Sequence, residues 1–206
     1  ARTADGFVFR VDTMLRPFGS AGAPAWSLSA MEDYYQVHGR EWERYAFIKA
    51  RPIAGDLNAG AALLKTLRPF VYRRYMDYTA ILSLRALKKM ISDEVRRKGM
   101  EQNIKLGSGG IREVEFIVQS FQLVRGGQEA PLRDARLRTV LRYLGQAGHL
   151  DGVIVSELDA AYVFLRRLEN AIQMYGDEQT HALPQSDTAR EALCVGLDIA
   201  DWSTLM

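Results

Sequence analysis

The sequence predicts a mostly α protein, a helical bundle preceded by a short β-containing segment, and three observations predict it. Phe7-Val8-Phe9-Arg10-Val11-Asp12 is rich in β-branched and aromatic residues and lies between Gly6 and Pro17, the composition of a strand. Glycine and proline then punctuate residues 17–25, the composition of a loop. From Ser29 onward apolar residues recur at three- and four-residue spacing, the period of helices that bury one face.

The elements follow in order. Strand geometry places Phe7, Phe9 and Val11 on one face and Val8, Arg10 and Asp12 on the other. Trp26-Ser27-Leu28 is read as a short additional strand. Ser29 with Glu32 has the spacing of a capping box and marks a helix start. Met31, Tyr34, Tyr35, His38, Trp42 and Tyr45 carry the stripe onward. Further helices are expected over 57–68, 69–76, 78–98, 111–125, 134–147, 153–175 and 187–195, with a short one near the C-terminus. Pro69 starts a helix or kinks one. The stripe Leu158, Ala161, Tyr162, Leu165, Leu168 and Ile172 is the most regular. The expected division is 1–28 as a β-containing part and 29–206 as a helical bundle of roughly seven or eight helices.

Composition sets outer limits. A chain of 206 residues, 48% of them hydrophobic, has ample material for a buried core. A net charge of +2 gives no global electrostatic argument for nucleic acid. The run Arg85, Lys88, Lys89, Arg96, Arg97 and Lys98 is read as a solvated helix face, and Arg40, Arg44, Lys49 and Arg51 form a second basic group. Cys194 is the single cysteine, which rules out an intrachain disulfide and a thiolate zinc site. It sits among Ala192, Leu193 and Val195, as a small buried hydrophobe does. An unpaired thiol suits a reducing compartment and places the expectation in the cytoplasm. No run of 18 apolar residues occurs, so no membrane span is expected.

Three segments carry residues suited to chemistry. In Arg10-Val11-Asp12-Thr13-Met14-Leu15-Arg16-Pro17, Asp12 is a hard oxygen ligand suited to magnesium, and arginine forks onto phosphate oxygens. The same spacing also suits a surface ion pair. In Ile104-Lys105-Leu106-Gly107-Ser108-Gly109-Gly110-Ile111-Arg112, glycines lead into a helix whose first N–H groups can hold an anion, reinforced by Lys105 and Arg112. A turn required only by chain geometry fits equally. Glu113 and Glu115 point apart on a helix, which excludes them as joint metal ligands. Arg112, Glu115, Gln119 and Gln122 form a polar stripe separate from Ile111, Val114, Val118 and Phe121. Third, Glu41, Tyr45 and Lys49 stack at i, i+4 and i+8, facing a cleft or solvent.

Together these segments resemble the glutamine synthetase adenylyltransferase family. Arg-Val-Asp-Thr-Met-Leu-Arg-Pro-Phe-Gly at 10–19 is similar to the segment bearing the third catalytic aspartate of that family's nucleotidyltransferase domains. Glu-Arg-Tyr-Ala-Phe-Ile-Lys-Ala-Arg at 43–51 resembles the following helix. Asn103 to Gln119 resembles the family's most recognisable segment, and Leu165-Arg166-Arg167-Leu168-Glu169-Asn170 a later helix. The resemblance implies that 1–28 is the C-terminal part of a nucleotidyltransferase-like domain. It also implies the half that removes AMP from a tyrosine of adenylylated glutamine synthetase by magnesium-dependent phosphorolysis, giving ADP. Gly-Ser-Gly-Gly-Ile-Arg-Glu-Val-Glu-Phe, with Arg112 and Glu113, looks like that removing half, whereas the transferring half usually has a Gly-Gly-x-x-Asp-Ile-Glu-Phe pattern.

By the same resemblance Asp12 binds Mg2+, and Arg10, Arg16, Lys49 and Arg51 contact phosphate or nucleotide. Lys105 and Arg112 are further candidates where two modules meet. The implied partners are adenylylated glutamine synthetase, a PII signalling protein, ADP or ATP and phosphate. In this family a Gly-Ser pair and an Asp-x-Asp pair precede the Arg-Val-Asp segment and supply two of three metal-binding carboxylates. This chain starts after them, and no Asp-x-Asp follows Gly107-Ser108, so the isolated 206-residue chain is expected to be inactive. The competing class is a non-catalytic helical module that binds glutamine synthetase or PII, or a relative of the PII uridylyltransferase.

Overall fold

A computed structural model describes the backbone of residues 2–4, 6–7, 11–72, 78–100 and 102–205. It separates into two compact units, Ala1–Arg73 and Arg74–Met206. Helix dominates. Strand among the described residues is limited to β1 (Arg2–Thr3) and β2 (Gly6–Phe7), paired antiparallel with Arg2 opposite Phe7, and one isolated bridge between Asn103 and Ala182. No described helix is long and apolar enough to cross a membrane.

In the first unit the expected strand over 7–12 is only partly visible. Residues 8–10 lie outside the described residues, and Val11 and Asp12 are in irregular backbone. Phe18 and Gly19 both have positive φ, 59° and 56°, around a 3-10 turn at Gly19–Ala21. A Cβ on Gly22 would collide with the Pro17 carbonyl, so the 17–22 turn closes only on glycine there. Helix α1 (Leu28–Val37) begins before the expected start. Ser27 is its N-cap, accepting from Ala30 N at 3.2 Å, while Ser29 Oγ lies 3.2 Å from Ser27 Oγ. Residues 26–28 therefore form a helix entry and not a strand: an accepting hydroxyl at 27 satisfies a free first-turn N–H one register earlier.

The helix stops before Gly39, where a Cβ would strike the Phe70 ring and the Tyr35 carbonyl. Helix α2 (Glu41–Phe47) then starts with Arg40 N donating to Glu43 Oε2 at 2.8 Å. Glu43 is buried and also accepts from Tyr34 OH at 3.0 Å, which ties α2 to α1. Because α2 ends at Phe47, Lys49 falls beyond it and does not extend a Glu41–Tyr45 stripe. Helix α3 (Leu57–Thr66) is capped by Asp56, which accepts from Asn58 N and Ala59 N. The short α4 (Arg68–Val71) carries Pro69 in its first turn, where proline loses no hydrogen bond. The core is aromatic, with Tyr34, Tyr35 and Leu67 buried and Met31, Phe47, Leu63 and Phe70 packed around them.

The second unit comprises α5 (Tyr78–Arg97), α6 (Ile111–Arg125), α7 (Leu137–Gln146), α8 (Gly152–Gly176), α9 (Asp187–Leu197) and α10 (Trp202–Leu205). The basic run on α5 is exposed at Arg85, Lys88, Lys89, Arg96, Arg97 and Lys98, as a solvated face requires. Asp151 and Ser186 cap α8 and α9 through Val153 N and Ala189 N. One core gathers Val114 and Val118 of α6, Leu132, and Leu137, Val140, Leu141 and Leu144 of α7. Val140, Leu141 and Leu144 have no exposed surface, and each such side chain contributes about 1.5–3 kcal/mol. A second core joins Ile104, Leu168, Ala171 and Ile172 to Leu193 and Leu197. The long α8 spans both cores. Cys194 is buried, 5% exposed, beside the second.

The polar stripe of α6 departs from the sequence expectation. Glu115, Gln119 and Gln122 are buried alongside the apolar one. Gln122 Nε2 donates to Leu132 O at 2.7 Å and Asp134 O at 2.9 Å, so a buried amide holds the 3-10 turn at Ala130–Arg133 against the helix. Buried polar groups persist where they are hydrogen-bonded, and periodicity alone carries no information about such partners.

Candidate functional site

In the first unit Asp12 is exposed, with Oδ1 accepting from Met14 N at 2.8 Å. That local bond shapes the loop. Arg16 stitches the same loop shut: Nη1 donates to Thr13 O at 2.7 Å and Thr13 Oγ1 at 3.2 Å, and Nε to Gly22 O at 3.1 Å. Arg10 lies outside the described residues. Lys49 and Arg51 are exposed on the segment joining α2 to α3. Asp12 and Arg16 thus lie in one loop, each bonded to its own neighbours, and Lys49 and Arg51 lie in another.

The glycine turn of the second unit closes on itself. Asn103 Oδ1 accepts from Lys105 N and Leu106 N, both at 3.0 Å. Gly110 N donates to Gly107 O, Ile111 N to Ile104 O, Arg112 N to Lys105 O and Glu113 N to Gly110 O, each at 3.0 Å. Gly109 N is taken by Glu113 Oε2 at 3.0 Å. The first-turn N–H groups that would hold an anion at a helix start are already bonded within the turn. Gly110 is needed for close approach, since its Cβ would stand 2.7 Å from Ile104 O and 2.9 Å from Gly107 O. Gly109, at φ 73°, is needed for its left-handed backbone. What this segment can offer an anion is the side chains of Lys105 and Arg112.

Those side chains belong to a larger constellation. Lys105 Nζ lies 3.5 Å from Glu169 Oε1 and 3.3 Å from His181 Nε2, and His181 Nε2 lies 3.0 Å from Glu169 Oε1. Arg166 Nη1 meets the other oxygen, Glu169 Oε2, at 2.7 Å. On α6, Arg112 Nη1 lies 3.7 Å from Glu115 Oε2. Burial pushes the His181 imidazole below its ordinary value, the Lys105 charge pushes the same way, and Glu169 opposes both. Burial raises the Tyr162 phenol; Arg166 opposes it, and the charges of Glu115 and Glu169 both add to it. Gln119, on the same helix as Glu115 and 3% exposed, has an Oε1 without a hydrogen-bond partner among the described residues.

Sequence reasoning missed Glu169, Arg166, Glu115 and His181 as site-forming residues. Arg166 and Glu169 stand at i and i+3 inside a quoted segment, which is a usable signal. His181 gave none: it sits in a loop, and its contact with Lys105 crosses 76 positions. Among the described residues no group of three or more His, Cys, Asp or Glu is placed to hold a metal.

A model described as glutamate-ammonia ligase adenylyltransferase matches residues 1–66, and one described as GlnD PII-uridylyltransferase matches residues 85–206. Three bacterial proteins named bifunctional glutamine synthetase adenylyltransferase/adenylyl-removing enzyme align along almost all of the chain. The Xanthomonas campestris pv. campestris protein is 55% identical over 99% of this chain and 22% of its own length. That from Nitrosococcus oceani is 56% identical over 98% and 21%, and that from Pseudomonas putida 55% over 98% and 21%. The chain belongs to the glutamine synthetase adenylyltransferase/adenylyl-removing enzyme family, as a segment spanning about a fifth of the length of these relatives.

Proposed function

We propose that the chain is part of the deadenylylating half of such an enzyme, acting in the cytoplasm on nitrogen assimilation through glutamine synthetase. In this reading an oxygen of inorganic phosphate attacks the phosphorus of tyrosine-bound AMP. The tyrosine oxygen–phosphorus bond breaks, the tyrosine oxygen leaves, and the product is ADP. The observation that carries it is the 55% identity to proteins named for both activities, combined with Gly109-Gly110-Ile111-Arg112-Glu113, which resembles the removing half. Residues 1–28 are then the end of the nucleotidyltransferase-like domain and 29–206 the helical bundle.

Asp12 suits one oxygen ligand of Mg2+: it is exposed, and among the described residues its carboxylate accepts one hydrogen bond, from Met14 N to Oδ1. Bound magnesium would neutralise phosphate charge in the transition state. Arg10, Arg16, Lys49 and Arg51 are proposed to meet phosphate or nucleotide, and PII is a proposed regulatory partner. Arg16 does so from a loop it also holds closed.

The test is Asp12→Asn in a longer enzyme containing this segment. Asparagine keeps the shape and the Met14 N–H acceptor but removes the charge that holds a hard cation. Release of AMP from adenylylated glutamine synthetase should fall by at least about a hundredfold, while attachment of AMP by the other half persists. Full release activity in a folded Asp12→Asn variant would sink the assignment. A second reading, a non-catalytic module binding glutamine synthetase or PII, draws on the uridylyltransferase match, which covers only the helical residues 85–206. It requires release to be indifferent to Asp12.

A further inference from the structure

We propose that Lys105, Arg112 and Arg166 form a pre-oriented platform on the face shared by α6, α8 and the glycine turn, and that it binds a phosphate group. The layering of charge carries the inference. Glu115 and Glu169 lie beneath, with side chains 8% and 6% exposed, while those of Lys105, Arg112 and Arg166 are 35%, 44% and 45% exposed. An approaching solute therefore meets cations first and carboxylates behind them. Formally, three positive charges stand over two negative ones, a surplus of one, so the face keeps attraction for an anion after its internal pairing.

The buried carboxylates also fix direction. Glu169 engages Lys105 with Oε1 and Arg166 with Oε2, so one rigid acid aims two cations from different parts of the chain. Arg112 leaves the backbone beside Lys105, because Arg112 N donates to Lys105 O. Arg166 is further restrained by its guanidinium lying 5.9 Å from the centre of the Tyr162 ring. Holding long side chains in place before a ligand arrives lowers the entropic cost of binding. Guanidinium forks and an ammonium suit the tetrahedral oxygens of phosphate.

The choice of phosphate as the anion rests on the phosphorolysis reading above; the platform itself does not. The same chemistry comes from two sources, free inorganic phosphate and the phosphate tail of a nucleotide. The test titrates the 206-residue protein, free of magnesium, with inorganic phosphate and separately with ADP, following arginine side-chain Nε–H resonances. Arg112 and Arg166 should shift and saturate. Arg138, held by Asp159 in a two-bond pair of 2.6 and 2.7 Å, should not. Arg112→Gln and Arg166→Gln, each checked for intact helicity, should weaken binding by about tenfold. Arg166→Lys should recover part of that, because it keeps the charge but loses the fork.

Saturation by phosphate alone assigns the platform to the attacking anion. Markedly tighter binding of ADP, with phosphate as competitor, assigns it to the nucleotide tail. Uniform, non-saturating shifts of all arginines, or affinity unchanged in both glutamine variants, would overturn the platform. Neither Asp12 nor a metal enters this experiment, so its failure leaves the catalytic assignment to be judged by its own test.

Discussion

In the Asp12 loop the side-chain bonds of Asp12 and Arg16 join residues two to six positions apart, whereas Lys105 reaches Glu169 and His181 across 64 and 76 positions. The loop is exposed and shaped by its own backbone. The Lys105 constellation is anchored on carboxylates beneath the surface, and its geometry exists only once α6, α8 and the loop before α9 have packed. A locally built site survives as a motif readable in a dozen residues. A site built by packing depends on the whole unit, and damage to it registers as lost stability.

The difference can be broken most forcefully at Glu169. Glu169→Ala removes the acid that Lys105, Arg166 and His181 share, and opens space in a buried position. A cost of about 2–3 kcal/mol is expected, below that of a fully buried pair because the two cations retain water. Urea unfolding followed by circular dichroism measures it. Arg16→Gln, the corresponding lesion in the Asp12 loop, should cost under about 1 kcal/mol, since its bonds are mostly exposed. Equal losses at the two positions would erase the contrast.

Glycine substitution sharpens the same comparison. Gly110→Ala forces a Cβ against the carbonyls of Ile104, Gly107 and Lys105, all backbone atoms, and should cost about 2 kcal/mol. Gly109→Ala meets no atom within 4 Å but must adopt φ 73°, at about 1 kcal/mol. The order of the two melting temperatures checks whether close approach or backbone strain dominates the turn.

Acidity gives a third handle. His181 is faced by Lys105 and Arg166, by the Glu169 carboxylate and by the Gln173 amide. Its folded-state pKa is depressed from 6.5, so the unfolded chain binds the extra proton more readily. Stability is then constant above the unfolded value and falls as pH drops below about 6.5. His181→Gln should flatten that limb. A separate limb near pH 4 and below should remain, from Glu129, held low by His149, and from Asp134, held at about 2 by Arg136. Thermal melts of both proteins between about pH 2 and 8 separate the two limbs.

The smallest effect concerns the helix entry. Ser27→Ala should cost about 1 kcal/mol by removing the α1 cap, and Ser29→Ala close to nothing. Equal costs would restore the capping box expected from Ser29 and Glu32.

Much of the helical layout was legible because core-facing stripes have a period. Ile111, Val114 and Val118, and Leu168 with Ile172, are buried as their spacing demands. Boundaries were less legible. The choice between Ser27 and Ser29 depends on which hydroxyl meets Ala30 N, and the break after Val37 depends on Phe70 packing against Gly39, 31 positions away. Asp12, Lys105 and Arg112 could be singled out because each lies in a compact motif. Glu115 and Glu169 were not legible as site residues because periodicity carries no information about the partners that let a carboxylate be buried. Here each buried acid meets an arginine one helical turn earlier, and Glu169 is also met by Lys105 and His181 from elsewhere in the chain.

Isotope transfer tests the functional account most directly. A longer enzyme carrying this segment is incubated with adenylylated glutamine synthetase, magnesium and isotopically labelled inorganic phosphate. Phosphorolysis places the label in the β-phosphate of ADP, in step with loss of AMP from the tyrosine, and Asp12→Asn abolishes both. Release of unlabelled AMP, or labelled ADP formed at full rate by the Asp12→Asn variant, would contradict it.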